Sequence, residues 1–206
     1  MSETVIKCTS LCRNYGSFRA VKDLSIEVKR GEILAITGAN GSGKTTLMKM
    51  LCGILSPTSG GIYIEKPLGY MSQSLALMAN MTARENYNFY GVINSLSTSE
   101  IEKRFGLASE LFRFDRFDNK RVEELTAGWK QLLSFSIAMM GEPKVLLLDE
   151  PTAGVDTLTR QKIWDCIKLL SENGTAVVVT SHYLSEARLC SSTLYMERVE
   201  QFERVE

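Results

Sequence analysis

Residues 38–45 read GANGSGKT, and this stretch limits the fold of the 206-residue chain more than any other. The apolar run GEILAITG (31–38) leads into it, as a buried strand would. Behind it, Leu47, Met50, Leu51 and Ile54 recur at helical spacing. Gly38, Gly41 and Gly43 allow a tight loop whose backbone N–H groups point inward. With Ala39, Asn40 and Ser42 between them, and a helix N-terminus following, the loop forms a concave anion site. The pattern G-x-x-x-x-G-K-[ST] puts Lys44 where it reaches the β- and γ-phosphates of a nucleotide, and Thr45 where its hydroxyl ligates Mg²⁺.

The rest of the chain supplies the sheet that such a loop needs. KVLLLDE (144–150) and TAVVVTS (175–181) are apolar runs of the kind buried parallel strands use. TLTRQKIWDCIKLL (157–170) is an amphipathic helix lying between them. GIYIEKPLGYMSQ gives two short strand-like pieces around Pro67, a short helix covers 183–190, and a last strand piece covers 193–197. From about 75 to 142 the pattern is almost wholly helical, with capping boxes at TARE (82–85) and STSE (97–100). The expected architecture is therefore α/β: a core from about 1–74 and 143–206, with a helical lobe of about 75–142 inserted in it. The mixed-charge stretch 113–121 is assigned no chemistry, and the tail from 196 reads as a short charged terminal element.

Composition narrows the class. Lys+Arg and Asp+Glu are 24 each, so there is no basic excess of the kind nucleic-acid binders carry. Five cysteines at irregular spacing, with one histidine, give no zinc pattern, and are expected to be reduced in a cytosolic chain. No signal-peptide core opens the sequence, and no run approaches the roughly 18 apolar residues of a membrane span, so a soluble chain is expected.

A second acidic motif sharpens the chemistry. VLLLDE (145–150) ends a buried strand in two carboxylates. Asp149 is placed to hold Mg²⁺, and Glu150 beside it to orient and deprotonate an attacking water.

With these motifs in hand, the chain resembles the ATPase subunit of an ATP-binding cassette (ABC) transporter over nearly its whole length. GANGSGKTT, ending in Thr46, matches the family's phosphate loop, and LLLDEP its second motif. Gln73, AGVD (153–156) and TSHY (180–183) follow in the family's order. The resemblance implies a P-loop (RecA-like) core with an antiparallel β piece and an inserted helical subdomain. It also implies that Tyr15 stacks on adenine and that Gln73 touches Mg²⁺ and the attacking water. His182 is expected to contact the γ-phosphate. Asp156 is expected at a subunit interface, and equally as the N-cap of the helix from Thr157.

LTAGWKQ (125–131) holds the place of the family signature Leu-Ser-Gly-Gly-Gln. Thr126, Ala127 and Gly128 would face ATP on a second subunit, with Thr126 capping the helix that follows. Ala127 adds a methyl where backbone approaches phosphate, and Trp129 replaces a glutamine. Slow or asymmetric hydrolysis is an expected consequence.

GWKQ, GEPKVLLLDEPTAGVD and SHYLSEA resemble export-type members. The implied ligands are ATP and Mg²⁺. The implied partners are a second ATPase subunit, identical or different, paired head to tail, and a separate transmembrane permease. The implied place is the cytoplasmic side of the cell membrane. A soluble cassette ATPase acting on nucleic acid or ribosomes is the alternative, and a cassette that binds ATP but barely turns it over is a third.

Overall fold

A computed structural model describes residues 3–114 and 118–198; residues 115–117 of the mixed-charge stretch, and the tail from 199, lie outside the described residues. Two sheets organise the chain. β1 (Thr4–Tyr15), β2 (Phe18–Lys29) and β4 (Ser59–Ile64) form an antiparallel sheet in the order β2-β1-β4. β3 (Ile33–Thr37), β5 (Leu68–Met71), β6 (Val145–Asp149), β7 (Ala176–Thr180) and β8 (Ser192–Tyr195) form a parallel sheet ordered β5-β6-β7-β3-β8.

Every residue of β3, β6 and β7 is buried, which explains why these strands read as unbroken apolar runs. Their side chains alternate between two cores. On β6, Val145 and Leu147 join a core shared with the antiparallel sheet and α1 (Lys44–Leu51), while Leu146 and Leu148 face the helices on the opposite side.

Those helices are α2 (Ala83–Ile93), α3 (Thr98–Phe112), α4 (Ala127–Met139) and α5 (Thr157–Glu172), and α6 (Leu184–Ala187) is a single turn. Both capping boxes form: Thr82 with Glu85, and Ser97 with Glu100. The expectation of near-continuous helix from 75 to 142 is corrected. Residues 75–82 are loop, and the described residues of 113–126 hold only 3-10 turn, at Phe114 and at Val122–Glu124. Asn86 explains the first break: it is fully buried, its Oδ1 accepts from Met78 N (2.8 Å), and its Nδ2 donates to the Met78 and Thr82 carbonyls (3.0 Å each). A side-chain amide thus satisfies backbone that a helix would have paired with itself.

Candidate functional site

The phosphate loop runs from the end of β3 to the start of α1. Gly43 has φ +94°, and a Cβ there would come within 2.2 Å of the Ala20 carbonyl, so only glycine fits. Lys44 is buried, and its ammonium donates to the carbonyls of Gly38 (2.8 Å) and Ala39 (3.0 Å). Burial lowers its pKa, and the carboxylates of Glu150 and Asp149 pull the other way. Ser42 N closes the turn on Ala39 O at 3.2 Å.

A cavity of about 620 Å³ opens over this loop, and ten of the expected site residues line it: Tyr15, Asn40, Gly41, Gly43, Lys44, Thr45, Thr46, Gln73, Glu150 and His182. Tyr15 sits at the tip of the β1–β2 hairpin, where Gly16 supplies the positive φ of a two-residue turn. Its ring carries the Arg13 guanidinium at 4.6 Å, and Phe18, paired across the turn, lines the same rim. The sequence reading missed Phe18; two aromatics bracketing a Gly-Ser turn were the available signal.

Across the cavity, three side chains converge. Gln73 Nε2 donates to Glu150 Oε2 at 3.1 Å, and His182 Nε2 lies 2.5 Å from Glu150 Oε1. Glu150 has φ +56°, a left-handed conformation that costs a side-chain-bearing residue about 1–3 kcal/mol. Its N–H donates to Thr180 Oγ1 at 2.8 Å, which helps hold it there.

Asp149 lies beneath, 1% exposed. Its Oδ1 accepts from Thr180 Oγ1 at 2.7 Å, and its buried Oδ2 accepts no hydrogen bond. Burial raises its pKa; the Thr180 and Thr45 hydroxyls oppose that rise. Among the described residues no cluster of three His, Cys, Asp or Glu is placed to hold a metal. An unpaired carboxylate oxygen beside a threonine hydroxyl instead suits a hard cation that keeps most of its own water.

Thr126, Ala127, Gly128 and Asp156 do not line this cavity. They form a separate surface. Thr126 occupies the N-cap position of α4, but its side chain makes no capping bond, which corrects the expectation; the N-terminal N–H groups of α4 keep no side-chain partner from it. Asp156 does cap α5: Oδ1 accepts from Thr159 N (3.0 Å) and Oδ2 from Thr159 Oγ1 (2.6 Å). The two helix starts abut, since a Cβ on Gly128 would sit 3.4 Å from Asp156 Oδ2. Trp129 turns inward and packs on the core under the helices. Buried Gln131, on the same helix, donates through Nε2 to the Glu150 and Ala153 carbonyls at 3.4 Å each, tying α4 to the segment that follows β6.

Comparison with known proteins points to one family and fold. The family model described as ABC transporter matches residues 21–153. The chain is 38% identical over 200 residues to the probable multidrug ABC transporter ATP-binding protein YbhF of Escherichia coli K12, covering 91% of this chain but 35% of that protein. It is 33% identical over 210 residues to the Nod factor export ATP-binding protein I of Rhizobium leguminosarum bv. viciae, covering 96% of this chain and 68% of that one. The dimeric structure of MJ0796, a bacterial ABC transporter cassette, superposes with a TM-score of 0.87 at 27% identity, over 94% of this chain and 95% of that one.

Proposed function

The chain belongs to the ABC transporter family, and from that premise we propose that it is the ATP-binding and ATP-hydrolysing subunit of a membrane exporter. The observation that carries the reading is the meeting of Gln73 and His182 on the Glu150 carboxylate, across one cavity from Lys44. One relative's name describes a multidrug transporter and another's Nod factor export, and the second favours export over import.

The adenine stacks on Tyr15, whose ring stands at the cavity rim. Lys44 exchanges the Gly38 and Ala39 carbonyls for the β- and γ-phosphates, and the loop amides hold the remaining oxygens. Asp149, Thr45 and Gln73 would hold Mg²⁺, which would supply positive charge beside the phosphate oxygens. Glu150 accepts the proton of the attacking water, while His182 and Gln73 fix its carboxylate. Each chain carries the Thr126–Gly128 surface apart from its own cavity, so a head-to-tail pair completes both sites.

The remaining partner is a transmembrane permease. No helix among the described residues is long and apolar enough to cross a membrane. An open groove of about 240 Å³ runs between β5, α2 and α4, and α2 exposes Phe89, Val92 and Ile93 beside it. This apolar face supports docking of the permease at the cytoplasmic side of the membrane.

Glu150→Gln tests the core of the reading. The variant is expected to bind ATP normally, to lose hydrolysis by about 10²–10⁴-fold, the usual loss with a general base, and to accumulate as an ATP-bound dimer. Turnover at the unaltered rate removes Glu150 as the base. Membrane pull-down with the same variant tests the partner: recovery with ribosomes or nucleic acid, and no polytopic protein, refutes the transporter.

A further inference from the structure

Two carboxylates are buried among the described residues, Asp149 and Glu186, at 1% and 3% exposure. The mechanism above uses the first and leaves the second without a task. Burying an acid costs several kcal/mol unless partners replace its water, so the partners of Glu186 show what the fold spends that cost on.

They belong to three different segments. Glu186 Oε2 accepts from Ser181 Oγ at 2.5 Å, Oε1 accepts from Thr152 Oγ1 at 2.8 Å, and Arg160 Nε on α5 lies 3.6 Å from Oε1. Ser181 precedes His182, and its hydroxyl accepts from Tyr183 N at 3.0 Å. The Tyr183 ring lies under the Arg160 guanidinium at 4.6 Å. His182 is therefore gripped on both flanks while its own side chain stays 39% exposed. Thr152 stands two residues beyond Glu150, on the segment that starts from the left-handed φ of +56°. One carboxylate thus fastens both segments whose side chains meet at 2.5 Å across the cavity. α6 is only four residues long, too short to fix itself.

We propose that Glu186 is a positioning residue for ATP hydrolysis: it sets the distance between His182 and Glu150 through Ser181 and Thr152, without touching nucleotide. The inference rests on the roles proposed above for Glu150 and His182. Neither Glu186, Ser181 nor Thr152 lines the nucleotide cavity, so their loss acts on rate and not on binding.

The test compares Glu186→Ala, Glu186→Gln and the double variant Ser181→Ala, Thr152→Val with the unaltered chain and with Glu150→Gln. Single-turnover hydrolysis by purified chain in excess over ATP gives the rate, and titration with a fluorescent ADP analogue gives affinity. Glu186→Ala should lose about a hundredfold in rate, the size of effect that a 1 Å misplacement brings. Its affinity should stay within about threefold, as for an interaction made only in the transition state. Glu186→Gln should recover most of the rate, because an amide pairs with two hydroxyls that both donate and accept. The double variant keeps the carboxylate and Arg160 in place and should lose rate like Glu186→Ala, so the inference stays testable if Glu186→Ala does not fold. Rate within about twofold of the unaltered chain, or affinity falling in proportion to rate, overturns it. A dead Glu150→Gln beside an active Glu186→Ala sinks this inference alone; an active Glu150→Gln sinks the reading beneath it as well.

Discussion

Thr180→Val is the substitution whose cost the structure fixes most closely. Thr180 is fully buried at the end of β7. Its hydroxyl donates to Asp149 Oδ1 at 2.7 Å and accepts from Glu150 N at 2.8 Å. Valine keeps the shape and the β-branch but removes both bonds. The Glu150 N–H then faces a methyl, and Asp149 Oδ1 loses the Thr180 hydroxyl as its donor. A buried group left unpaired costs about 1–3 kcal/mol, so two of them cost about 2–6 kcal/mol. The added methyl returns about 0.8 kcal/mol. A net loss of about 3 kcal/mol corresponds to a fall in Tm of about 6–12 °C for a chain of this size.

The effect on turnover follows from strain. Holding Glu150 at φ +56° costs about as much as one such bond returns. Without the Thr180 hydroxyl, Glu150 relaxes to negative φ and its carboxylate leaves His182 and Gln73. Urea unfolding and steady-state ATPase rates, measured on Thr180→Val and Thr180→Ser together, separate the causes. Serine keeps both bonds and loses only a methyl, so it should retain turnover. The reasoning fails if valine matches serine in rate and lies within about 1 kcal/mol of the unaltered chain, since two orphaned groups cannot cost so little.

Two other substitutions probe the site from opposite sides. Burial lifts the pKa of Asp149 above its ordinary range, so between about pH 4 and the raised value the folded chain holds a proton that the unfolded chain has released, and stability falls as pH rises through that window. Asp149→Asn should flatten this slope and, without nucleotide or Mg²⁺, be more stable than the unaltered chain at neutral pH, while losing hydrolysis; urea titrations from pH 4 to 8 check it, and an unchanged slope refutes it. Ala127→Gly restores the family's glycine at an exposed position; it should cost at most about 1 kcal/mol of helix propensity and raise turnover at chain concentrations where dimers form. An equal or lower rate would show that the methyl does not restrain closure.

What could be read in the sequence was what is local. The phosphate loop is legible because strand, turn and helix are contiguous, and β6 and β7 are legible because burial on both faces leaves no polar interruption. β1 and β2 are twelve residues each, yet alternation did not reveal them as strands. Their register shifts repeatedly, with Ser10 at φ +46° and Asp23 at φ +45°, so the two-residue period is broken before it can be counted. The error at 75–82 has the opposite cause. Leu75, Leu77, Met78 and Met81 are apolar at spacings a helix could use, and distant partners hold that backbone as a loop: the buried amide of Asn86, and the N–H groups of Val122 and Glu123 on the Met81 and Ala79 carbonyls.

The site divides in the same way. Lys44, Asp149, Glu150 and His182 stand out because each ends or follows a recognisable run. Thr180, Gln131 and Glu186 do not, because each acts on a partner far along the chain: Thr180 on Asp149 across 31 residues, Gln131 on Glu150 across 19, Glu186 on Thr152 across 34. No window of sequence contains both members of such a pair. The departures from the family signature follow the same logic in reverse. Ala127 is exposed, whereas a Cβ on Gly128 would press within 3.2 Å of Thr159 Oγ1. At these two positions the chain departs where the side chain is exposed and keeps glycine where a neighbour would have to give, and the cost of the methyl at 127 falls on the complex with a partner subunit.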